Sequence, residues 1–157
     1  MPRTTPRSAP LSEAQWLLLD HQLCFALYSA SLAMTKLYKP LLAPLGLTYP
    51  QYLVMLVLWE NDQQSVSDIG ERLFLDSGTL TPLLKRLEAA NYVKRSRDIQ
   101  DERRVLVSLT STGKNLKRKI LPLPNKMLQA TQCSRTDAMQ LAQALNDLRD
   151  NLKDSLT

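Results

Sequence analysis

Residues 66–109 read VSDIGERLFLDSGTLTPLLKRLEAANYVKRSRDIQDERRVLVSL, and this stretch decides the fold. Val66, Ile69 and Leu73 recur at helical spacing, as do Leu80, Leu83, Leu84 and Leu87, so its first half predicts two short amphipathic helices. Only Phe74–Asp76 separates them, the tight joint of a helix-turn-helix. Tyr92–Arg97 and Arg104–Leu109 then read as strands, the second alternating Val105, Val107 and Leu109, with the polar segment Asp98–Arg103 as an exposed hairpin tip. A helix-turn-helix followed by a β-hairpin is a winged helix. The expected fold class is therefore mainly α, with a winged helix-turn-helix at residues 61–110.

Upstream, residues 1–11 are rich in Pro, Arg, Ser and Thr and read as a disordered tail. Ser12 and Gln15 form a capping-box pattern that predicts a helix start. Leu19, Leu23, Leu27, Ala30, Met34 and Leu37 keep helical spacing from there until Pro40, which is expected to stop the helix. A short linker helix around Leu41–Leu45 ends at Gly46. Thr48 and Gln51 form a second capping box, with Pro50 in the first turn of an apolar helix running through Trp59. Downstream, Thr110 leads into a helix through Lys119, interrupted by Pro122 and Pro124. A last helix covers roughly Ser134–Leu156, with Met139, Leu141, Leu145, Leu148 and Leu152 on its apolar side.

The chain has 157 residues and a net charge of +5. Lys85–Arg104 holds seven basic against four acidic residues, and Lys114–Lys126 adds five basic residues and no acid, so the positive charge gathers mid-chain and fits a polyanionic partner. No signal peptide is expected, because Trp16–Leu19 is too short for an apolar h-region. Pro40–Trp59 lacks charge over 20 residues, but Pro40, Pro44, Gly46 and Pro50 break it, so it reads as core rather than a membrane span. A cytoplasmic protein is the expectation. Two cysteines, Cys24 and Cys133, are too few for a disulfide scaffold, and with one histidine they fall short of a structural zinc site; no metal and no cofactor is expected.

On the second short helix, Ser77–Arg86, a helical wheel turns the leucines inward and leaves Gly78, Thr79, Thr81, Pro82, Lys85 and Arg86 outside. Small polar residues such as Ser77, Thr79 and Thr81 let a helix enter the major groove and contact base edges or phosphates. Lys85 and Arg86 would meet phosphate or guanine. The hairpin adds Arg97, Arg103 and Arg104, and an arginine at its tip is suited to a minor groove. Duplex DNA is thus the expected partner.

The run DIQDERRVLVSLTSTG (98–113) resembles the wing and following helix start of the MarR family of winged-helix repressors. The resemblance extends over nearly the whole chain from about Leu19. It implies a homodimer held by its N- and C-terminal helices, here 12–60 and 111–157, on a pseudo-palindromic operator with one recognition helix per half-site.

Cys24 lies in an uncharged segment, Leu23–Thr35. A buried, inert thiol is the common fate of a free cysteine. Its local partners are poor: Asp20 disfavours an anion, and only His21 helps. Tyr28, one turn on, shares its face and is within reach of a hydrogen bond. Ser31, Thr35 and Tyr38 continue the polar stripe. Tyr38 would stand about 21 Å away along a straight helix. It can therefore serve only a partner subunit's cysteine, where Tyr49 can join it. Phenolic hydroxyls donating to sulfur stabilise a thiolate without a cation.

The segments LCFALYSAS (23–31), LTYPQY (47–52) and LDSGTLTPLLKRL (75–87) are similar to one MarR branch, the organic hydroperoxide resistance regulators. That resemblance gives Cys24 the role of peroxide-reactive cysteine, Tyr38 and Tyr49 those of the tyrosines that support it across the dimer, and Cys133 that of the resolving thiol of two-cysteine members. Organic hydroperoxides would then be the inducers, and oxidation would release the operator. Two alternatives stay open. One is a MarR-type repressor released by a small phenolic or carboxylate ligand, with Cys24 inert. The other is a thiol peroxidase, against which no catalytic arginine accompanies the cysteine, so a non-enzyme is expected.

Overall fold

A computed structural model describes residues 10–157. The tail expected at 1–11 lies, except for Pro10 and Leu11, outside the described residues. Seven α-helices and a three-stranded sheet follow along the described chain.

The first helix departs from expectation at both ends. Ser12 and Gln15 do form their reciprocal pair, Ser12 N donating to Gln15 Oε1 at 2.8 Å and Gln15 N to Ser12 Oγ at 3.4 Å. What they cap is not the long helix but two 3₁₀ turns, Gln15–Leu17 and Leu19–His21, and α1 spans Leu23–Leu42. A short helix persists when an apolar face packs on something, and Trp16–Leu19 has nothing in its own chain to pack on. At the other end α1 runs through Pro40. A proline near a helix end removes one intrahelical hydrogen bond, and the fully buried Leu42 anchors the turn that follows. A 3₁₀ turn, Ala43–Leu45, then closes on Gly46, whose φ of +68° is a left-handed conformation that suits glycine.

The second capping box forms as expected: Thr48 and Gln51 cap α2, Tyr49–Glu60, with Pro50 in its first turn. This helix supplies the centre of the core through Tyr52, Val54, Met55 and Leu58. Gln64–Ser65 forms a short strand, β1, that the sequence did not announce. Ser65 also caps α3, Val66–Leu73, in a reciprocal pair with Asp68. The helix-turn-helix is completed by α4, Ser77–Ala89.

The hairpin strands are β2, Val93–Arg97, and β3, Val105–Leu109, each starting one residue later than the alternation suggested. They pair antiparallel with Arg95 opposite Val107, and β1 adds to the other edge of β3 with Gln64 opposite the same Val107. The sheet order is β1-β3-β2. Thr110 caps α5, Ser111–Ile120; α6 is Leu123–Thr131 and α7 is Arg135–Asp154. One core cluster joins Leu42 of α1, α2, Ile69 of α3, Leu80, Leu84 and Leu87 of α4, Val93, Val107 and the buried residues of α5 and α6. By contrast, α7 has no buried residue. No single helix among the described residues is long and apolar enough to cross a membrane, and Leu23–Leu45 meets α2 at a 71° bend.

Candidate functional site

Two sets of residues carry chemistry: a polar and basic surface on α4 and the hairpin, and the thiols with their tyrosines.

The outer face of α4 is much as the wheel predicts. Leu80, Leu84 and Leu87 are buried, while Ser77, Gly78, Thr79, Pro82, Lys85 and Arg86 are exposed. Asp76 caps the helix, accepting from Thr79 N at 2.8 Å and Thr79 Oγ1 at 3.2 Å. Those hydrogen bonds hold its carboxyl below the usual range. The Thr79 hydroxyl is therefore turned back to the cap. Thr81 departs from the expected open face. It is half-buried in the cleft between the start of α3 and the hairpin, beside Ser67, Arg103 and Arg104.

The wing is braced at two points. Arg95 binds Glu88 of α4 through its backbone N at 3.0 Å, Nε at 3.0 Å and Nη2 at 2.8 Å, and these bonds hold the Glu88 carboxyl low. Arg104 reaches Asp68 of α3 at 3.3 Å and Asp98 at 4.0 Å. Asp68 is held low by Ser65 first and by Arg104 after it. So Arg104, expected to meet DNA directly, is already engaged in fixing the hairpin to α3. Arg97 and Arg103 are exposed and make no ion pair among the described residues. Lys94, Arg97 and Arg103 of the hairpin, with Lys85 and Arg86 of α4, thus remain for an anionic partner. Part of the second basic run has other work: Lys114 pairs with Asp62 at 3.9 Å and Lys117 donates to Trp59 O at 3.3 Å.

Arg103→Ala is expected to weaken DNA binding about equally on every sequence and to lower the slope of log affinity against log salt by about one, as loss of one phosphate contact does. Fluorescence-anisotropy titrations at several salt concentrations measure both quantities. An unchanged slope removes Arg103 from the DNA interface.

Cys24 is exposed and occupies the second position of α1, where unbonded backbone N–H groups favour negative charge. The expected local helpers do not reach it. Tyr28 is exposed and makes no hydrogen bond among the described residues, and His21 Nδ1 donates instead to Gln15 O at 2.8 Å. Tyr38 and Tyr49 are brought together, their ring centroids 4.6 Å apart, and Tyr52 completes a triad at 5.7 Å and 6.3 Å. Burial, with Tyr49 and Tyr52 adding to it, pushes the Tyr38 phenol up to about 12. Burial raises Tyr49 and Tyr52 as well. All three remain neutral O–H donors at physiological pH. Tyr52 was missed from sequence, although its i, i+3 spacing from Tyr49 was the available signal. Cys133 sits in the turn before α7, after the left-handed Gln132, with Sγ donating to Thr131 O at 3.5 Å. Both thiols are free.

A helix-turn-helix with a braced basic wing, set between long helices with exposed apolar faces, defines a winged-helix regulator of the MarR type. The family described as Transcriptional regulator SarA/Rot matches residues 36–120, and the chain belongs to this family of transcriptional regulators. It is 50% identical over 134 residues to the organic hydroperoxide resistance transcriptional regulator of Bacillus subtilis (strain 168), covering 85% of this chain and 91% of that protein. It is 53% identical over 134 residues to the HTH-type transcriptional regulator TtmR of Methylorubrum extorquens (strain PA1), covering 85% of this chain and 69% of that one. Among solved structures, that of reduced AbfR bound to DNA aligns with a TM-score of 0.76 at 34% identity, covering 88% of this chain and 95% of that chain.

Proposed function

We propose that this chain is a dimeric repressor that binds a pseudo-palindromic operator through α4 and the wing, and lets go when Cys24 is oxidised by an organic hydroperoxide. The observation that carries this reading is the Tyr38–Tyr49 pair. Its phenols are held neutral, make no hydrogen bond in their own chain among the described residues, and Tyr38 stands 14 residues of helix from its own Cys24. Such donors suit a sulfur anion brought by a second subunit. The 50% identity to a hydroperoxide resistance regulator supports the same inducer class.

In the proposed reaction the Cys24 thiolate attacks one peroxide oxygen and the O–O bond breaks. The alkoxide leaves, takes a proton and departs as an alcohol, and the sulfur is oxidised to sulfenic acid. The Cys133 thiol of the other subunit then condenses with it, forming a disulfide and releasing water. Covalent linkage changes the spacing of the two α4 helices, and the operator no longer fits both.

The test is a gel shift with cumene hydroperoxide, run beside non-reducing electrophoresis, on the wild type, Cys24→Ser and Cys133→Ser. Wild type should release DNA and run as a covalent dimer. Cys24→Ser should hold DNA throughout, and neither variant should form the covalent dimer. Release by oxidised Cys24→Ser overturns the thiol switch. Release of that variant by salicylate alone points instead to the small-ligand alternative.

A further inference from the structure

Residues 12–22 form a rigid, folded knuckle rather than a loose leader. Ser12 and Gln15 cap each other, His21 Nδ1 donates to Gln15 O, and Gln22 Nε2 donates to Trp16 O. The knuckle holds four consecutive apolar side chains out to solvent, with Trp16 56% and Leu17 86% exposed and Leu18 and Leu19 between those values. A preorganised apolar projection loses little entropy on docking, and a patch of this kind marks an interaction surface.

The same chain carries a matching receptor. An apolar cavity of about 430 Å³ lies between α1 and the start of α2, lined by Leu32, Ala43, Leu47 and Pro50 with Tyr49 at one side. Lys36 and Lys39 rim it, and neither is in an ion pair among the described residues. The knuckle's apolar residues are bracketed by acids, Glu13 before and Asp20 after. Both apolar character and charge are complementary.

We infer that Trp16–Leu19 of one protomer seats in this cavity of its partner, with Glu13 and Asp20 against the partner's Lys36 and Lys39. The inference rests on the proposed pairing of Cys24 with the partner's Tyr38, which fixes the register. In a two-fold contact, residue i meets j and j meets i, so two α1 helices crossing in this way run in opposite senses. With Cys24 opposite the partner's Tyr38, each step toward the N-terminus meets one step further along the partner. Residues 16–19 then fall opposite 43–46 to within about a turn, since 3₁₀ turns rise about 2.0 Å per residue against 1.5 Å in an α-helix. Ala43 lines the cavity. The thiol site is in this arrangement walled by both subunits, Trp16 closing the side of it that Tyr49 leaves open.

The experiment is a cysteine cross-linking scan in a Cys24→Ser, Cys133→Ser background, so that no native thiol chemistry is involved. Chains carrying Leu17→Cys, Leu18→Cys or Leu19→Cys are each mixed with a differently tagged Ala43→Cys chain, allowed to exchange subunits and oxidised with copper phenanthroline. At least one pair should give a covalent product containing both tags in more than half of the mixed dimers, and salicylate should leave the yield unchanged. Absence of any mixed product while subunit exchange proceeds overturns the inference. Suppression by salicylate also overturns it, by assigning the cavity to a small ligand. Because the scan needs no hydroperoxide, a protein that cross-links but ignores hydroperoxide would refute the thiol switch and leave the knuckle in place.

Discussion

Leu141→Glu combined with Leu152→Glu should yield a folded monomer that no longer retards operator DNA. The apolar side of α7 carries Met139, Leu141, Leu145, Leu148 and Leu152, yet the helix has no buried residue; Met139 is 68% and Leu152 56% exposed. A stripe of that length stays in water only when a partner covers it. Placing two carboxylates in such an interface costs several kcal/mol, because each must be desolvated or the helices must part. The rest of the fold does not depend on α7, since the core cluster is built from α1 to α6 and the sheet. A monomer has one α4 and engages one half-site, so affinity should fall by about 10³-fold or more, within the range separating specific from non-specific binding. Sedimentation gives the mass, circular dichroism the helix content and anisotropy the affinity. A double variant that stays dimeric removes α7 from the interface.

Gly113→Ala should be the most damaging single methyl in the winged unit. A Cβ at Gly113 would stand 2.0 Å from Tyr92 O and 3.0 Å from Tyr92 C. That carbonyl cannot swing away, because it accepts from Thr110 N at 3.1 Å and from Thr110 Oγ1 at 3.2 Å. The start of α5 must therefore lift from the sheet, which also breaks the Trp59 Nε1 bond to Gly113 O at 3.0 Å. Overpacking against backbone typically costs about 1–3 kcal/mol, and the lost hydrogen bond adds about 1. At about 2–4 °C per kcal/mol for a chain of this size, the melting temperature should drop by roughly 10 °C. A calorimetric scan decides it, and a melting temperature within a degree or two of wild type would show that α5 adjusts freely.

The winged unit was legible because its signals are local. The leucine period of α4, the caps at Thr48 and Thr110 and the alternation of Val105, Val107 and Leu109 each act within a few residues. What escaped the sequence depends on distant partners. The strand Gln64–Ser65 exists because β3 offers it an edge, the Pro40 turn survives because Leu42 reaches the core, and the helix expected from Ser12 fails because Trp16–Leu19 has no surface in its own chain. The same holds for the site. Ser77, Lys85 and Arg86 were placed by one helical wheel, whereas Arg104 was misjudged because its acid partner, Asp68, lies 36 residues away. Tyr38 and Tyr49 could be proposed as companions from their distance to Cys24, but the third ring, Tyr52, needed the packing of α1 on α2.

The clamp of Glu88 on Arg95, with that of Asp68 on Arg104, welds α4, α3 and the hairpin into one stiff head. A stiff head cannot be retuned from within by a distant oxidation; it can only be carried to another place. Operator preference and inducer sensitivity thereby become separately heritable traits. Exposed α4 residues such as Ser77 and Lys85 are free to drift toward new target sequences without disturbing the thiol, and the residues around Cys24 are free to change trigger without rewriting which genes are addressed.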